Sequence, residues 1–175
     1  MLYDPSHYDE HLNLKVPFAL WLVLAFLLRH LLLLGITFLP TTGEEINFLR
    51  DLIHPVYLAC DLIALPVAIV AIRRRPGASP WMRRLWSIGR TLLSISALLY
   101  LVLLAGRIGL SGEPLTTAID ELTLISALLH LAIIVYLWRS PLVRDLFREF
   151  PAPGLVLFWC VQVPAPAART PIARA

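Results

Sequence analysis

The stretch Leu27–Leu34 reads LLRHLLLL and places an arginine and a histidine inside a long apolar run. The run extends from Pro17 to Leu39, which is long enough for a helix to cross the roughly 30 Å hydrocarbon core of a bilayer. A charge at the centre of a bilayer costs about 2.5–3.5 kcal/mol on insertion scales. We therefore expect Arg29 and His30 to have polar partners elsewhere in the chain.

Three further apolar blocks follow the first, and the 175-residue chain is 58% hydrophobic, above the about 45–50% that is usual for soluble domains. The blocks predict four transmembrane helices, at about residues 17–39, 55–72, 91–110 and 122–138. We expect an all-α fold, a four-helix transmembrane bundle that forms one membrane domain over residues 1–150. The Pro/Ala-rich C-terminal tail, 151–175, is predicted to be flexible or interfacial because its apolar part is too short to cross a bilayer.

Two segments outside these blocks have the pattern of short interfacial helices. Thr42–Glu45 fits a capping box, in which a threonine and a glutamate satisfy backbone N–H groups at a helix start. The segment after Ser140 has one apolar face, opposite charged residues; the face comprises Leu142, Val143, Leu146, Phe147 and Phe150. Such helices beside a span usually lie on lipid, so we expect membrane anchoring, with docking of a partner protein as the alternative.

Basic residues are distributed unevenly among the connections. The link between the second and third blocks, with the entry to the third, carries six arginines: Arg73, Arg74, Arg75, Arg83, Arg84 and Arg90. By contrast, residues 40–54 carry only Arg50, and residues 111–121 carry no Lys or Arg. Basic loops remain on the cytoplasmic side during insertion. The pattern predicts a multi-pass membrane protein with both termini in the cytoplasm.

Ionisable residues from all four predicted spans are expected to lie at similar depths. They are Arg29, His30, Asp61, Arg107 and His130. At a rise of about 1.5 Å per residue, these positions lie about 18–24 Å from the inner edge of the hydrocarbon. We expect a buried ion pair between Asp61 and Arg29, with Arg107 either competing for the carboxylate or extending to the outer surface. The two histidines would join as neutral hydrogen-bonding groups.

This predicted cluster has two interpretations. In the first, the polar contacts fix the register and rotation of the helices, a role for which contacts between spans are strong enough. In the second, Asp61, Arg29 and His130 form a proton or ion path, as in a small transporter or proton-coupled permease. A polar cavity that reaches these residues from one side would favour transport, whereas a dry pair would favour the structural role.

Small residues indicate which helix faces pack closely. Ala64 and Ala68 lie one turn apart on the second predicted span, and Ala105 and Gly109 have the same spacing on the third. Small side chains at this spacing allow helix backbones to approach each other. We expect both pairs to lie in the packed interior of the bundle.

Motifs for catalysis and metal binding are missing from the sequence. It contains no GxSxG elbow, no HExxH, no pair of CxxC motifs and no glycine-rich phosphate loop, and its two cysteines fit no metal signature. We therefore expect no enzymatic activity, no catalytic residues, no metal and no cofactor. The expected partners are the lipid bilayer and either another membrane protein or a second copy of the chain, and nucleic acid is not expected.

Both ends of the first 150 residues resemble a known family. Tyr8–Asp9 followed by Leu14–Phe18 and Trp21, and then Tyr136–Pro141, Arg144–Phe147 and Phe150–Pro151, are similar to the opening and closing segments of the YfeZ-like family of proteobacterial inner-membrane proteins. The resemblance implies a multi-pass protein of the bacterial inner (plasma) membrane without an established activity, and it implies no catalytic residues. The function expected from the sequence is a non-enzymatic accessory or scaffold component, with the small transporter as the alternative.

Overall fold

The computed structural model describes Asp4, Tyr8 and residues 14–37, 55–75, 78–111 and 121–151. These residues are all-helical apart from loops and one isolated bridge between Tyr8 and Leu14. The helices in this part of the chain are α1 (Phe18–Leu27), α2 (Arg29–Thr37), α3 (Pro55–Ile72), α4 (Pro80–Ser87), α5 (Gly89–Ser111), α6 (Glu121–Arg139) and α7 (Pro141–Arg148). The predicted capping box at residues 42–45 and the tail beyond residue 151 lie outside the described residues.

Helices α3, α5 and α6 are each long and apolar enough to cross a membrane. The pair α1 and α2 passes the same test together, but the two helices are bent by 63° at a break. The described residues therefore contain three candidate spans, or four if the bent pair is one span. The sequence predicted one continuous helix over residues 17–39, whereas the structure divides this segment at Leu28.

Helix α3 lies at the centre of the bundle and packs against α1, α2, α4 and α5, while α6 packs mainly on α5. Small and branched residues of α3, such as Ala64, Val67 and Ala68, are buried against its neighbours, as predicted for the two alanines. The small residues of α5 differ from the expectation. Ala105 is exposed, and a Cβ added at Gly109 would meet no atom within 4 Å, because this face of α5 points away from the described helices.

Helices α4 and α7 close the end of the bundle at which α3 and α6 end and α5 begins. The ring of Trp86 lies 4.6 Å from that of Phe147, centroid to centroid, and its Nε1 donates to the Leu146 carbonyl at 2.8 Å. A Cβ on Gly89 would lie only 2.6 Å from the Phe147 ring, so glycine lets α7 approach α5 closely. The apolar face of α7 is therefore buried in the protein, where we had expected it to lie on lipid.

Arg74 connects three parts of the chain at this end. Its Nη1 donates to the Leu14 carbonyl at 2.7 Å, and its Nη2 donates to the Glu149 carbonyl at 2.9 Å. The guanidinium also lies 5.2 Å from the centre of the Trp86 ring. Loss of hydration on burial lowers the pKa of Arg74 to about 10, with the Glu149 charge opposing this shift. Arg74 is therefore still charged at neutral pH, and it holds the segments before α1 and after α7 against the end of α3.

Candidate functional site

The break between α1 and α2 frees backbone groups in the interior of the bundle. In a continuous helix the N–H of Leu31 would bond the carbonyl of residue 27, and the carbonyl of Phe26 would accept from residue 30. Instead, Leu31 N–H donates to Asp61 Oδ2 at 2.9 Å, and the Phe26 carbonyl accepts from Arg29 Nη1 at 3.3 Å. Charged side chains therefore replace the backbone hydrogen bonds that the bend removes.

The signs of these two charges suit the ends of the helices that they cap. The N-terminus of a helix carries partial positive charge and its C-terminus partial negative charge. The Asp61 carboxylate lies at the N-terminus of α2, and the Arg29 guanidinium bonds a carbonyl of the last turn of α1. Non-helical backbone at membrane depth is tolerated only where protein or a water-filled cavity supplies such partners. This arrangement explains why LLRHLLLL contains polar residues.

His30 is the side chain that bonds Asp61, where the sequence had predicted Arg29. The distance between His30 Nδ1 and Asp61 Oδ1 is 3.2 Å, and both side chains are buried. Arg29 and His30 both lie in the first turn of α2, and consecutive residues of a helix point about 100° apart. His30 faces α3, whereas Arg29 bonds Ser126 of α6.

Arg29 is bound on the other side of the bundle by one hydroxyl and two rings. Its Nη2 donates to Ser126 Oγ at 3.0 Å, and that hydroxyl donates to Tyr100 OH at 3.0 Å. The guanidinium carbon lies 4.3 Å from the centre of the Phe26 ring and 4.8 Å from that of Tyr100. Cation–π contacts of this kind strengthen when water is excluded. Arg29 therefore links α1, α5 and α6.

Four rings, one of them that of His30, stack next to Asp61. Tyr100 and His130 are parallel, with an interplanar angle of 4° and centroids 3.8 Å apart. Tyr57 lies between the two halves of the stack, 5.6 Å from His30 and 4.7 Å from Tyr100. His130 Nδ1 is 2.6 Å from the Ser126 carbonyl, and it carries the hydrogen because a carbonyl only accepts. The stack joins side chains from α2, α3, α5 and α6.

Arg107 lies outside this cluster, so of the two expectations for this residue the one that placed it beside the Asp61 carboxylate is wrong. Arg107 is exposed and lines an open groove of about 300 Å³ with Val56, Tyr57 and Leu103. Its position is near the C-terminal end of α5, two turns beyond Tyr100. Asp61, by comparison, is only 2% exposed, so the groove stops at the Tyr57 ring and leaves the carboxylate covered.

Sequence reasoning identified Asp61, Arg29, His30 and His130 as residues of similar depth, and the structure brings them together. It missed Ser126, Tyr57 and Phe26 as members of the cluster. Ser126 and Tyr57 are polar residues within predicted spans, and their depth could have indicated them. Phe26 carries no such signal, because it contributes a carbonyl and a ring face. Among the described residues, no group of three His, Cys, Asp or Glu side chains could hold a metal ion.

Comparison with known proteins adds a family and no activity. No curated protein and no solved structure matches the chain significantly. Residues 3–149 match the family described as "Protein of unknown function (DUF2919)", which covers every helix that the structure describes. The chain therefore belongs to this family of unknown function.

Proposed function

We propose that this chain is a non-enzymatic membrane protein that serves as an accessory or scaffold component of a larger membrane system. The observation that supports this proposal most directly is the use of Asp61 and Arg29 to pair the backbone groups freed at the α1–α2 break. Side chains engaged in this way hold a bent helix in one shape. A fixed, bent helix presents a defined surface, which suits a protein that acts by contact.

The burial of the cluster favours this role over transport. Asp61 and His130 are each 2% exposed, and their polar atoms contact other protein groups. A permease would need water or substrate to reach these groups in at least one state. The groove beside Tyr57 and Arg107 approaches the cluster but remains separated from Asp61 by a stacked ring.

The proposed topology has four spans, with α1 and α2 together forming the first. Both termini lie in the cytoplasm of a bacterium, and the protein occupies the inner membrane. Supporting this, many basic residues of the described chain lie at one end of the bundle: Lys15, Arg73, Arg74, Arg75, Arg83, Arg84, Arg90, Arg139, Arg144 and Arg148. The resemblance to YfeZ-like proteins agrees with this location. Green fluorescent protein fused at either terminus should fluoresce, whereas a periplasmic alkaline phosphatase inserted in residues 40–54 should be active.

Proton flux distinguishes the scaffold from a permease. The wild-type protein and Asp61→Asn are reconstituted in liposomes that contain a pH-sensitive dye, and a membrane potential is imposed. We expect both to leak protons at the rate of empty liposomes. A flux that exceeds this rate in the wild type and disappears in Asp61→Asn would contradict the proposal. Leu62→Ala, at the adjacent exposed position, is the control for effects of mutation alone.

A further inference from the structure

A second polar arrangement lies between the start of α5 and the end of α6, apart from the buried cluster. The guanidinium of Arg90 lies 4.3 Å from the centre of the Trp138 ring. Trp138 Nε1 donates to Ser94 Oγ at 3.0 Å, and Ser94 Oγ donates to the Arg90 carbonyl at 2.9 Å. These contacts fix the arginine and the indole relative to each other across two helices. We call this pair of residues the Arg90–Trp138 seam.

The seam presents hydrogen-bond donors without a protein acceptor. A guanidinium has five N–H donors, and in the part of the chain that the structure describes, the Arg90 guanidinium lies over the indole ring without a hydrogen bond to a protein acceptor. Trp138 is 56% exposed, so the seam opens to the surroundings. Arg139 follows directly and is exposed as well. The seam thus has one cation over an indole whose Nε1 is bound by Ser94, and a second arginine next in sequence.

The position of the seam along the spans indicates what it meets. Arg90 is the second residue of the α5 span, and Trp138 is the next-to-last residue of the α6 span. In a bilayer both lie at the boundary between hydrocarbon and water, where indole rings are enriched. Ile95 and Val135 lie further along the same two spans and are exposed apolar residues. Donors for an anion and a surface for hydrocarbon therefore occur side by side.

We infer that the Arg90–Trp138 seam binds the phosphate headgroup of an anionic phospholipid, whose acyl chains follow the exposed apolar residues of α5 and α6. Arginine bonds phosphate through two parallel N–H groups, and basic sites between transmembrane helices bind anionic headgroups. Free phosphate would use only the guanidinium, whereas a lipid also uses the adjoining apolar surface. The inference rests on the membrane placement proposed above and adds a ligand to it.

Native mass spectrometry of bound lipid tests the site. Wild-type protein, Arg90→Gln and Arg75→Gln are purified in detergent with equal amounts of phosphatidylglycerol and phosphatidylcholine. Arg75 is the matched control, because it is an exposed arginine at the same end of the bundle, outside the seam. We expect Arg90→Gln to bind phosphatidylglycerol about fivefold more weakly, which corresponds to about 1 kcal/mol, the effect of one basic residue near anionic lipid. Arg75→Gln should change binding less than twofold.

Three results would overturn the inference. The first is an equal loss in the two variants, which indicates general attraction to the basic end. The second is displacement of the lipid by inorganic phosphate, which assigns the site to a soluble anion. The third is unchanged phosphatidylglycerol binding in Trp138→Ala. Extraction of membranes with alkaline carbonate is run in parallel, because release of the wild-type chain would refute the membrane placement itself, whereas a retained chain without lipid preference refutes only the site.

Discussion

Arg29 and His30 are adjacent in the chain but contact different helices. His30 reaches Asp61 on α3, and Arg29 reaches Ser126 on α6. Both residues follow the break at Leu28, and consecutive residues of a helix point about 100° apart, so they face different neighbours. Asp61 in turn accepts the Leu31 N–H that the 63° bend frees. One carboxylate thus binds both a side chain and the backbone of α2. Its removal should affect the shape of the helix more than the loss of one side-chain contact would suggest.

The first prediction concerns the stability that Asp61 supplies. Asp61→Ala leaves the Leu31 N–H and His30 Nδ1 without their acceptor in a medium of low dielectric constant, and each unsatisfied buried group costs about 1–3 kcal/mol. We expect a decrease of at least about 1 kcal/mol in the free energy of unfolding, measured in mixed micelles. Leu62→Ala changes an exposed neighbour and should stay within about 0.5 kcal/mol of the wild type. Equal effects of the two substitutions would refute the capping role.

The second prediction compares the two candidate partners of Asp61. Double-mutant cycles isolate the interaction between two residues from their separate effects. We expect the cycle of Asp61→Asn with His30→Gln to give a larger coupling energy than the cycle of Asp61→Asn with Arg29→Gln. The reason is the direct contact of 3.2 Å in the first pair, whereas Arg29 interacts with Asp61 only through the longer-range Coulomb attraction. A larger coupling to Arg29 would restore the ion pair that the sequence predicted.

Depth along the spans could be predicted from the sequence, but side-chain direction could not. Counting residues at a constant rise placed Asp61 and His130 at matching heights, and both are in the cluster. The same count gives height only, so it could not show which helix each of residues 29 and 30 contacts. No proline or glycine marks Leu28 as a break, and Asp61, which accepts the Leu31 N–H at this break, is distant in sequence. The partner of each charge is therefore a tertiary property.

At the scale of elements, α7 illustrates what amphipathic patterning can and cannot decide. The pattern correctly gave a short helix after Ser140, whose hydroxyl accepts the Val143 N–H at 3.4 Å. It also identified the apolar face that is buried. Whether lipid or protein covers an apolar face is not encoded in its periodicity, since both are hydrocarbon surfaces. Trp86 and Gly89, more than 50 residues away, supply the surface that covers Phe147.

The third prediction tests the contact between α5 and α7. Gly89→Ala introduces a Cβ 2.6 Å from the Phe147 ring and 3.2 Å from Val67 Cγ1, and overpacking of this kind costs about 1–3 kcal/mol. Gly106→Ala is the matched control on the same helix, where a Cβ meets no atom within 4 Å. This control should stabilise the protein by about 0.5–1 kcal/mol, because alanine favours the helix over glycine. The two substitutions should therefore change the thermal midpoint in opposite directions, and a shared direction would refute the close approach of α7.

At the scale of the whole molecule, two polar assemblies hold the bundle at different heights. The cluster around Asp61 joins α1, α2, α3, α5 and α6 in the interior, while Arg74 joins the end of α3 to segments outside the first and last described helices. The number of apolar blocks predicted the candidate spans and their approximate limits. It did not predict Arg74 as a connector, because arginines in a basic link look alike in sequence. Position distinguishes them, since Arg74 is largely buried and its neighbour Arg75 is exposed.

The fourth prediction separates these two arginines. Arg74→Met removes the charge-assisted hydrogen bonds to the Leu14 and Glu149 carbonyls, which are worth about 1.5–3 kcal/mol each. Part of this loss is offset, because the variant no longer has to bury a cation on folding. We expect faster hydrogen–deuterium exchange in peptides that cover residues 14–20 and 142–150, with little change in α5. Arg75→Met should leave both peptides at the wild-type rate.

The pH dependence of this effect provides an independent check. Because burial lowers the pKa of Arg74 to about 10 in the folded state, below its value in the unfolded chain, the folded protein releases this proton first as the pH rises. The free energy of unfolding therefore rises with pH through this group only above about pH 10. Near neutrality, Arg74 is protonated in both the folded and the unfolded protein. The difference in exchange protection between Arg74→Met and the wild type should be constant between about pH 6 and pH 8, since the guanidinium remains charged throughout this range. Loss of the difference within that range would show that another titrating group holds the two chain segments, and Arg74 would then be only a neighbour of that contact.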